Sequence, residues 1–371
     1  MKRMRPDFLV RVALVVSVLA AATLVTTSCA SKTTTIYFYN WGEYIADDTI
    51  AKFEAAHPEI KVSMKTFDSN EALYQTLDSS SFDVIVPSDY MVARLVKEGK
   101  LYKPDMSAIP NNAKYNDPRL ANLVLDSDPA VASQVFQYAV PYLYGTVGLI
   151  YNTADVPAPK SDSPADVWAP LFDAKYANRI GMYDSMRESV GVALNMLGYS
   201  LNSVDDAQLA AAKALLIQQK DTAKPIYGID ELKDKYVSDE LAAGVAWSGD
   251  YVACLNRLTD AGKDTNQIAF ALSKGTNFFI DFLAIPKNAK HPKEAQTFID
   301  FLCSPGIALA DSNYAGYSTP NLEAQKSLPA VLRDNTALYP TDDMFKTFEV
   351  YFSSDAIDSK YSAIWESVMA H

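Results

Sequence analysis

The chain reads as an α/β protein of two lobes, and three observations predict this. Short β-rich runs alternate with helical ones from Thr35 to Gly99. Once an N-terminal leader is set aside, about 340 residues remain, more than one hydrophobic core comfortably holds. Two long extended apolar segments, Ala139–Asn152 and Asn277–Pro286, are punctuated by Pro and Gly and suit strands that pass from one lobe to the other.

The leader is a targeting segment. Lys2, Arg3, Arg5 and Arg11 precede an apolar run from Val12 to Val25, too short for an ordinary membrane span and suited to a signal h-region. Thr26-Thr27-Ser28-Cys29 follows and resembles the lipobox of bacterial lipoproteins, with Thr26 where Leu is usual. The resemblance implies a signal peptide over 1–28, a lipid on Cys29 and an extracytoplasmic, membrane-anchored protein. An uncleaved anchor is the alternative and places the domain outside the cytoplasm too. Ser31–Thr35 is short and polar, so 29–35 is expected as a tether.

In the folded body, Ile36, Phe38 and Asn40 alternate with Tyr37, Tyr39 and Trp41, a period of two that predicts a strand over Thr35–Trp41. Gly42 ends it. Asp47 is expected to cap a helix through Ile50, Phe53 and Ala56, which His57-Pro58 closes. Ile60–Met64 is the next strand, Asn70–Leu77 a helix, Asp83–Val86 a third strand and Val92–Lys97 a helix closed by Gly99. This βαβαβ succession predicts parallel pairing. Beyond Asn152, helices are expected at Ala165–Phe172, Ser189–Leu197, Asp206–Lys220 and Lys293–Leu302, with a strand at Gln267–Leu272. Glu240–Trp247 leads to Ser248-Gly249-Asp250. A third crossing is expected near Pro320–Leu328, and several crossings together make a hinge. Lobe 1 is then 36–141 plus 280–326, and lobe 2 is 142–279 plus 327–371.

Charge narrows the function. The net charge is −12, and removal of 1–28 takes away four basic and one acidic side chain, leaving −15. Nucleic-acid binding needs clustered Lys and Arg, so it is not expected, whereas small cations are steered toward such a surface. Of three cysteines, Cys29 is assigned to the lipid; Cys254 and Cys303 sit in apolar helical runs and are expected as buried free thiols, a disulfide being the alternative. The histidines are His57, His291 and His371, the first two before prolines and the last at the C-terminus. They offer no Ser-His-Asp or zinc arrangement, and no phosphate loop or protease motif occurs. No metal, cofactor or catalytic residue is expected.

What recurs is an aromatic beside an acid at predicted strand ends: Trp41-Gly42-Glu43-Tyr44, Val86-Pro87-Ser88-Asp89-Tyr90, Asp184-Ser185-Met186-Arg187-Glu188, Trp247-Ser248-Gly249-Asp250, Phe278-Phe279-Ile280-Asp281 and Tyr317-Ser318-Thr319-Pro320-Asn321. Ligands of open α/β sheets bind at such ends. A carboxylate between π faces attracts an organic cation. Each segment alone also suits packing or a first-turn helix acid. Asp281 stands apart, because an Asp within Phe-Phe-Ile-Asp-Phe-Leu-Ala-Ile-Pro is costly to bury unpaired and nothing basic lies beside it.

In this order the segments resemble the spermidine/putrescine-binding proteins of bacterial polyamine ABC transporters, over essentially the whole mature chain. The resemblance implies a type II-like periplasmic-binding-protein fold, a monomer that closes on a linear polyamine and hands it to a membrane permease. It implies that Trp41, Tyr44, Tyr90, Trp247, Phe279 and Tyr317 wall the methylene chain. Glu43, Glu188 and Asp281 would pair with the amines, and Ser88 would hydrogen-bond one terminus. Spermidine-preferring members usually carry an acid in place of Ser185 and Trp in place of Phe279. Asp250 resembles the putrescine-preferring branch, Tyr351 stands where Gln is common, and Gly42 replaces a Thr or Ser. The site is therefore expected to accept putrescine at least as readily as its fold relatives suggest, and spermidine as well, with no ranking between the two. The competing expectations are a receptor for another small organic cation or amino-acid-like solute, an extracellular carboxylate-dependent hydrolase, and an adhesin on the same fold.

Overall fold

The computed structural model describes residues 33–121, 129–352 and 354–371. The expected signal peptide, 1–28, and the expected lipidation site, Cys29, lie outside the described residues. Nine strands form one mixed sheet in the order β2-β1-β3-β9-β4-β7-β5-β6, with β8 paired to β4. Strand β1 (Thr34–Trp41) pairs in parallel along its length with β2 (Ile60–Phe67) and near its carboxyl end with β3 (Val84–Ile85). The helices between them are α1 (Thr49–Ala56) and α2 (Asn70–Leu77), and α3 (Asp89–Lys97) follows β3. The expected βαβαβ unit is present, with two adjustments. Thr34 and Thr35, expected in the tether, already pair with Ile60 and Lys61. The N-cap of α1 is Asp48 rather than Asp47, and its side chain makes no cap bond.

Strand β4 (Ala139–Asn152) is buried at all fourteen positions and changes partners midway. Ala139 through Thr146 pair with β9 (Phe278–Ala284), while Val147 through Tyr151 pair with β7 (Ala243–Trp247). A register shift falls between Pro141 and Leu143, where proline lacks a ladder N–H. On the far side, β5 (Ile180–Tyr183) lies parallel to β6 (Ile226–Gly228) and β7, and β8 (Ile268–Ala271) pairs with the end of β4. Two parallel sets are thus joined through two antiparallel crossing strands. This is the two-lobed α/β architecture, with β4 and β9 as its crossing strands.

The third crossing differs from expectation. Leu322–Lys326 is a short helix whose N-cap Asn321 accepts from the N–H of Glu323 and Ala324. Ser318 Oγ donates to Leu338 O, Thr146 Oγ1 donates to Ala337 O, and Glu349 bridges Asn277. The final helix, Asp355–Ala370, then packs on helices Met186–Met196 and Asp206–Thr222.

Buried Asp311, on helix Pro305–Ala315, fixes the turn after β1. It accepts from Ala46 N–H (3.0 Å), Thr49 Oγ1 (2.6 Å) and Tyr142 OH (3.0 Å). Burial pushes its carboxyl up to about 6, because three neutral donors replace only part of its lost hydration. Cys254 and Cys303 are free, but only Cys254 is fully buried; Cys303, at a helix C-cap, is half-buried. Among the described residues no helix is long and apolar enough to cross a membrane.

Candidate ligand-binding site

The carboxyl ends of β1, β3, β5 and β7 converge on one cavity of about 380 Å³. Three helices begin at its wall: α3, α5 (Met186–Met196) and α8 (Ser248–Asp260), here numbered with α4 (Pro129–Tyr138), α6 (Asp206–Thr222) and α7 (Glu231–Val237). Each of the three carries an acid in its first turn, Asp89, Glu188 and Asp250, where the partial positive charge of unpaired N–H groups favours an anion. Helices that start at the same cleft would repel a cation; of these acids Glu188 and Asp250 line the cavity and reverse that sign, while Asp89 is turned to the N–H groups of Tyr90 and Ile280.

The structure brings all thirteen sequence-predicted side chains to this cavity. Asp281, only 3% exposed, lies on its floor and accepts from Tyr44 OH at 2.6 Å and Ser88 Oγ at 2.6 Å. Ser88 accepts in turn from Asn70 Nδ2 at 2.9 Å, so the carboxylate is held in one orientation by a chain of neutral groups. Among the described residues no Lys or Arg comes within ion-pair distance of it. Burial raises its carboxyl to about 6, and the two hydroxyl bonds lower it only in part.

Glu188 holds the second buried carboxylate. It accepts from Trp247 Nε1 at 3.1 Å and Tyr351 OH at 2.9 Å. Burial pushes it up to about 7 against these two bonds. Its neighbour Arg187 does not pair with it. That guanidinium packs 4.4, 5.0 and 5.6 Å from the ring centres of Tyr351, Tyr361 and Tyr90 and donates to Asn202. Ser185 is the N-cap of α5, makes no cap bond and faces the cavity.

Asp250 is the third. Tyr183 OH (2.6 Å) and Tyr317 OH (3.0 Å) donate to it, and Lys233 Nζ lies 3.6 Å away. Aromatic rings wall the space between these acids. Trp247 stacks on Tyr183 at 4.1 Å, Tyr317 stands edge-on to Tyr44 at 4.9 Å, and Phe279 meets Tyr317 at 6.2 Å. Tyr90 donates to Glu71 and meets Tyr351 edge-on at 6.1 Å.

Glu43 departs from its expected role. Tyr44 turns inward to Asp281 and Trp41 packs on Phe67 at 4.4 Å, so the two rings do not box the acid. Instead Glu43, at a left-handed φ of 49°, faces Arg257 (3.0 and 2.9 Å) and Lys233 (2.8 Å). Partial burial pushes its carboxyl up, but these two cations outweigh that and hold it below its ordinary range. The chain's own cations therefore occupy the position expected for a ligand amine. Lys233 and Arg257 were not singled out in the sequence, and Arg187 entered only as part of the Arg187-Glu188 segment, with no role given to it. Asp230, three residues before Lys233, gives the only local hint, an i,i+3 pair at 2.8 Å.

A deep cleft where two lobes meet, walled by aromatic rings and buried acids, is the form of a solute-binding protein. Residues 48–340 match the model of the bacterial extracellular solute-binding proteins, and the chain belongs to that family. It is 31% identical over 345 residues to the spermidine/putrescine-binding periplasmic protein of Escherichia coli, covering 92% of this chain and 93% of that one. It is 30% identical to the putrescine-binding periplasmic protein of the same organism, with 91% and 92% covered. Among solved structures, the spermidine/putrescine ABC transporter substrate-binding protein of Streptococcus pneumoniae superposes with a TM-score of 0.72 at 31% identity, over 91% of this chain and 99% of that one. A candidate spermidine/putrescine ABC transporter from Listeria monocytogenes gives 0.80 at 35%, with 91% and 99% covered. These relatives bind solutes, and the chain is not an enzyme; the hydrolase expectation is set aside.

Proposed function

We propose that the protein captures a linear polyamine, putrescine or spermidine, in the cleft and delivers it to the permease of an ABC importer. One observation carries this reading. Asp281 and Glu188 are buried carboxylates that face a single aromatic-walled cavity and hold only hydroxyl and indole donors, with no Lys or Arg in ion-pair range. A buried carboxylate left so is costly, and an ammonium supplied from outside removes the cost. Aromatic faces suit both the methylenes and the charge, at about 0.5–2 kcal/mol per cation–π contact. Asn277 Oδ1, buried at the cavity wall with no partner, is a further acceptor for an N–H donor. The relatives' names support the same ligand class.

In this reading the thirteen cavity residues are the binding set, and closure follows from tighter binding to the closed form. Residues 36–141 plus 280–326 move against 142–279 plus 327–371. Cleavage before Cys29 and its lipidation keep the monomeric protein tethered by 29–33, the part of the expected tether ahead of β1, on the outer side of a bacterial membrane, near its permease. Titration calorimetry with putrescine and spermidine tests the ligand; binding of neither overturns the reading. Mass spectrometry of the membrane fraction tests the diacylglyceryl group on Cys29.

A zwitterionic solute is the second reading. It is favoured by Arg187, whose Nε and Nη1 are buried without hydrogen-bond partners beside Glu188. A γ-amino acid that outcompetes putrescine in the same titration would select it.

A further inference from the structure

We infer that Lys233 is a tethered ammonium that fills the third cationic position of the cleft and so selects a dication over a trication. This rests on the polyamine reading above and names which polyamine the site takes.

Three carboxylates of the cavity are buried: Asp281, Glu188 and Asp250. Two of them lack a Lys or Arg partner, and the third has one. Lys233 projects from α7, is 4% exposed at its side chain, and lies within 2.8 Å of Glu43 and Asp230 and 3.6 Å of Asp250. Its ammonium is thus set among carboxylates from three elements, close to Glu43 in the turn after β1 and Asp230 at the start of α7, and at longer ion-pair range from Asp250 in the first turn of α8. Lys233 and Asp250 both line the cavity, so the ammonium sits beside the acid within the space a ligand would enter.

The space beside Asp250 is continuous with that beside Asp281. Tyr44 donates to Asp281, Tyr317 donates to Asp250, and the two rings touch edge-on. A ligand held at Asp281 and Glu188 brings two positive charges to two vacant acids. A third ammonium directed toward Asp250 meets an ammonium already there and must displace it or stay unpaired. Like charges so close, away from water, cost far more than at the surface. Selectivity here comes from a repulsive element, and an acid such as Asp250 is read wrongly when its internal partner is overlooked.

The test is titration calorimetry of putrescine, a diamine, and spermidine, a triamine, on the whole protein and on Lys233→Met and Lys233→Arg. The native protein is expected to bind putrescine at least tenfold more tightly. Lys233→Met is expected to narrow or reverse that ratio by tenfold or more, and Lys233→Arg to keep it. A purely structural role for Lys233 would weaken both amines together and leave the ratio unchanged, which overturns the inference. Native protein that binds spermidine as tightly as putrescine overturns it without recourse to any variant, so the test survives a variant that does not fold. Failure of both amines to bind native protein overturns the polyamine reading itself.

Discussion

Glu43 and Arg257 pair through both carboxylate oxygens across the mouth of the cleft, joining the turn after β1 to α8. Both side chains are partly exposed, so the pair is screened and worth roughly 0.5–1 kcal/mol. It joins the two sides of the cleft through the protein's own charges. Arg257→Ala is expected to speed ligand release about two- to fivefold with little change in capture. The difference should shrink in 0.5 M salt, as expected for surface charges. Stopped-flow tryptophan fluorescence, reporting from Trp41 and Trp247, measures both rates; an unchanged release rate contradicts the latch.

Asp281→Asn removes the charge at the cavity floor and keeps its shape. Loss of one partner of a buried charge pair costs about 2–4 kcal/mol, so affinity for a polyamine should fall thirtyfold or more. The ligand-free protein should become more stable at the same time. Its melting temperature at pH 7.5 is expected to rise, because a buried unpaired carboxylate becomes a neutral amide. A variant that loses affinity and stability together would mean that Asp281 is structural.

The pH dependence follows from two carboxyls raised by burial, Asp281 to about 6 and Glu188 to about 7. Their folded values exceed their unfolded ones, near roughly 4. Their contribution to the stability of the empty protein is therefore full below that value and lost as pH rises through 6 and 7. A cationic ligand needs them ionised. Affinity should rise between pH 5 and 7.5, with protons released on binding near pH 6.5. Calorimetry in two buffers of different ionisation enthalpy reads that release directly. Proton uptake would contradict the assignment of these acids to the ligand.

Gly249 is a close-approach site. A methyl added there would meet the Tyr317 ring at 2.2–2.4 Å. Gly249→Ala is expected to push Tyr317 off Asp250, cost about 1–3 kcal/mol of stability, and weaken binding. A thermal melt with a parallel titration separates the two effects.

Much of the fold was legible because it rests on local period and punctuation. Ala139–Asn152 and Asn70–Leu77 match their elements end to end, since Pro, Gly and alternating apolar residues bound them in the sequence itself. The short helix within 320–328 was not foreseen, because it turns on Asn321, whose side chain caps it. Asp281 could be read as unusual from its neighbours alone, because desolvation cost depends on burial that an apolar strand announces. Lys233 could not. Within Asp230-Glu231-Leu232-Lys233-Asp234-Lys235 it looks like any solvated helix charge. Its burial comes from Glu43 and Asp250, residues that lie far off along the chain.

Strand β9 has a consequence for folding fidelity. Ile280 and Phe282 face one core cluster, while Phe279 and Leu283 face the other, and Asp281 belongs to the second set at the cavity edge. Slipping β9 by one residue against β4 would exchange the two faces and drive Asp281 toward the cluster of Ile280 and Phe282, where buried Asp89 already accepts from the Ile280 N–H. It would leave the Tyr44 and Ser88 hydroxyls behind, and an unsatisfied buried carboxylate costs several kcal/mol. The side chain that gives the cleft its charge thereby proofreads the assembly of the strand pair that holds the two halves of the molecule together.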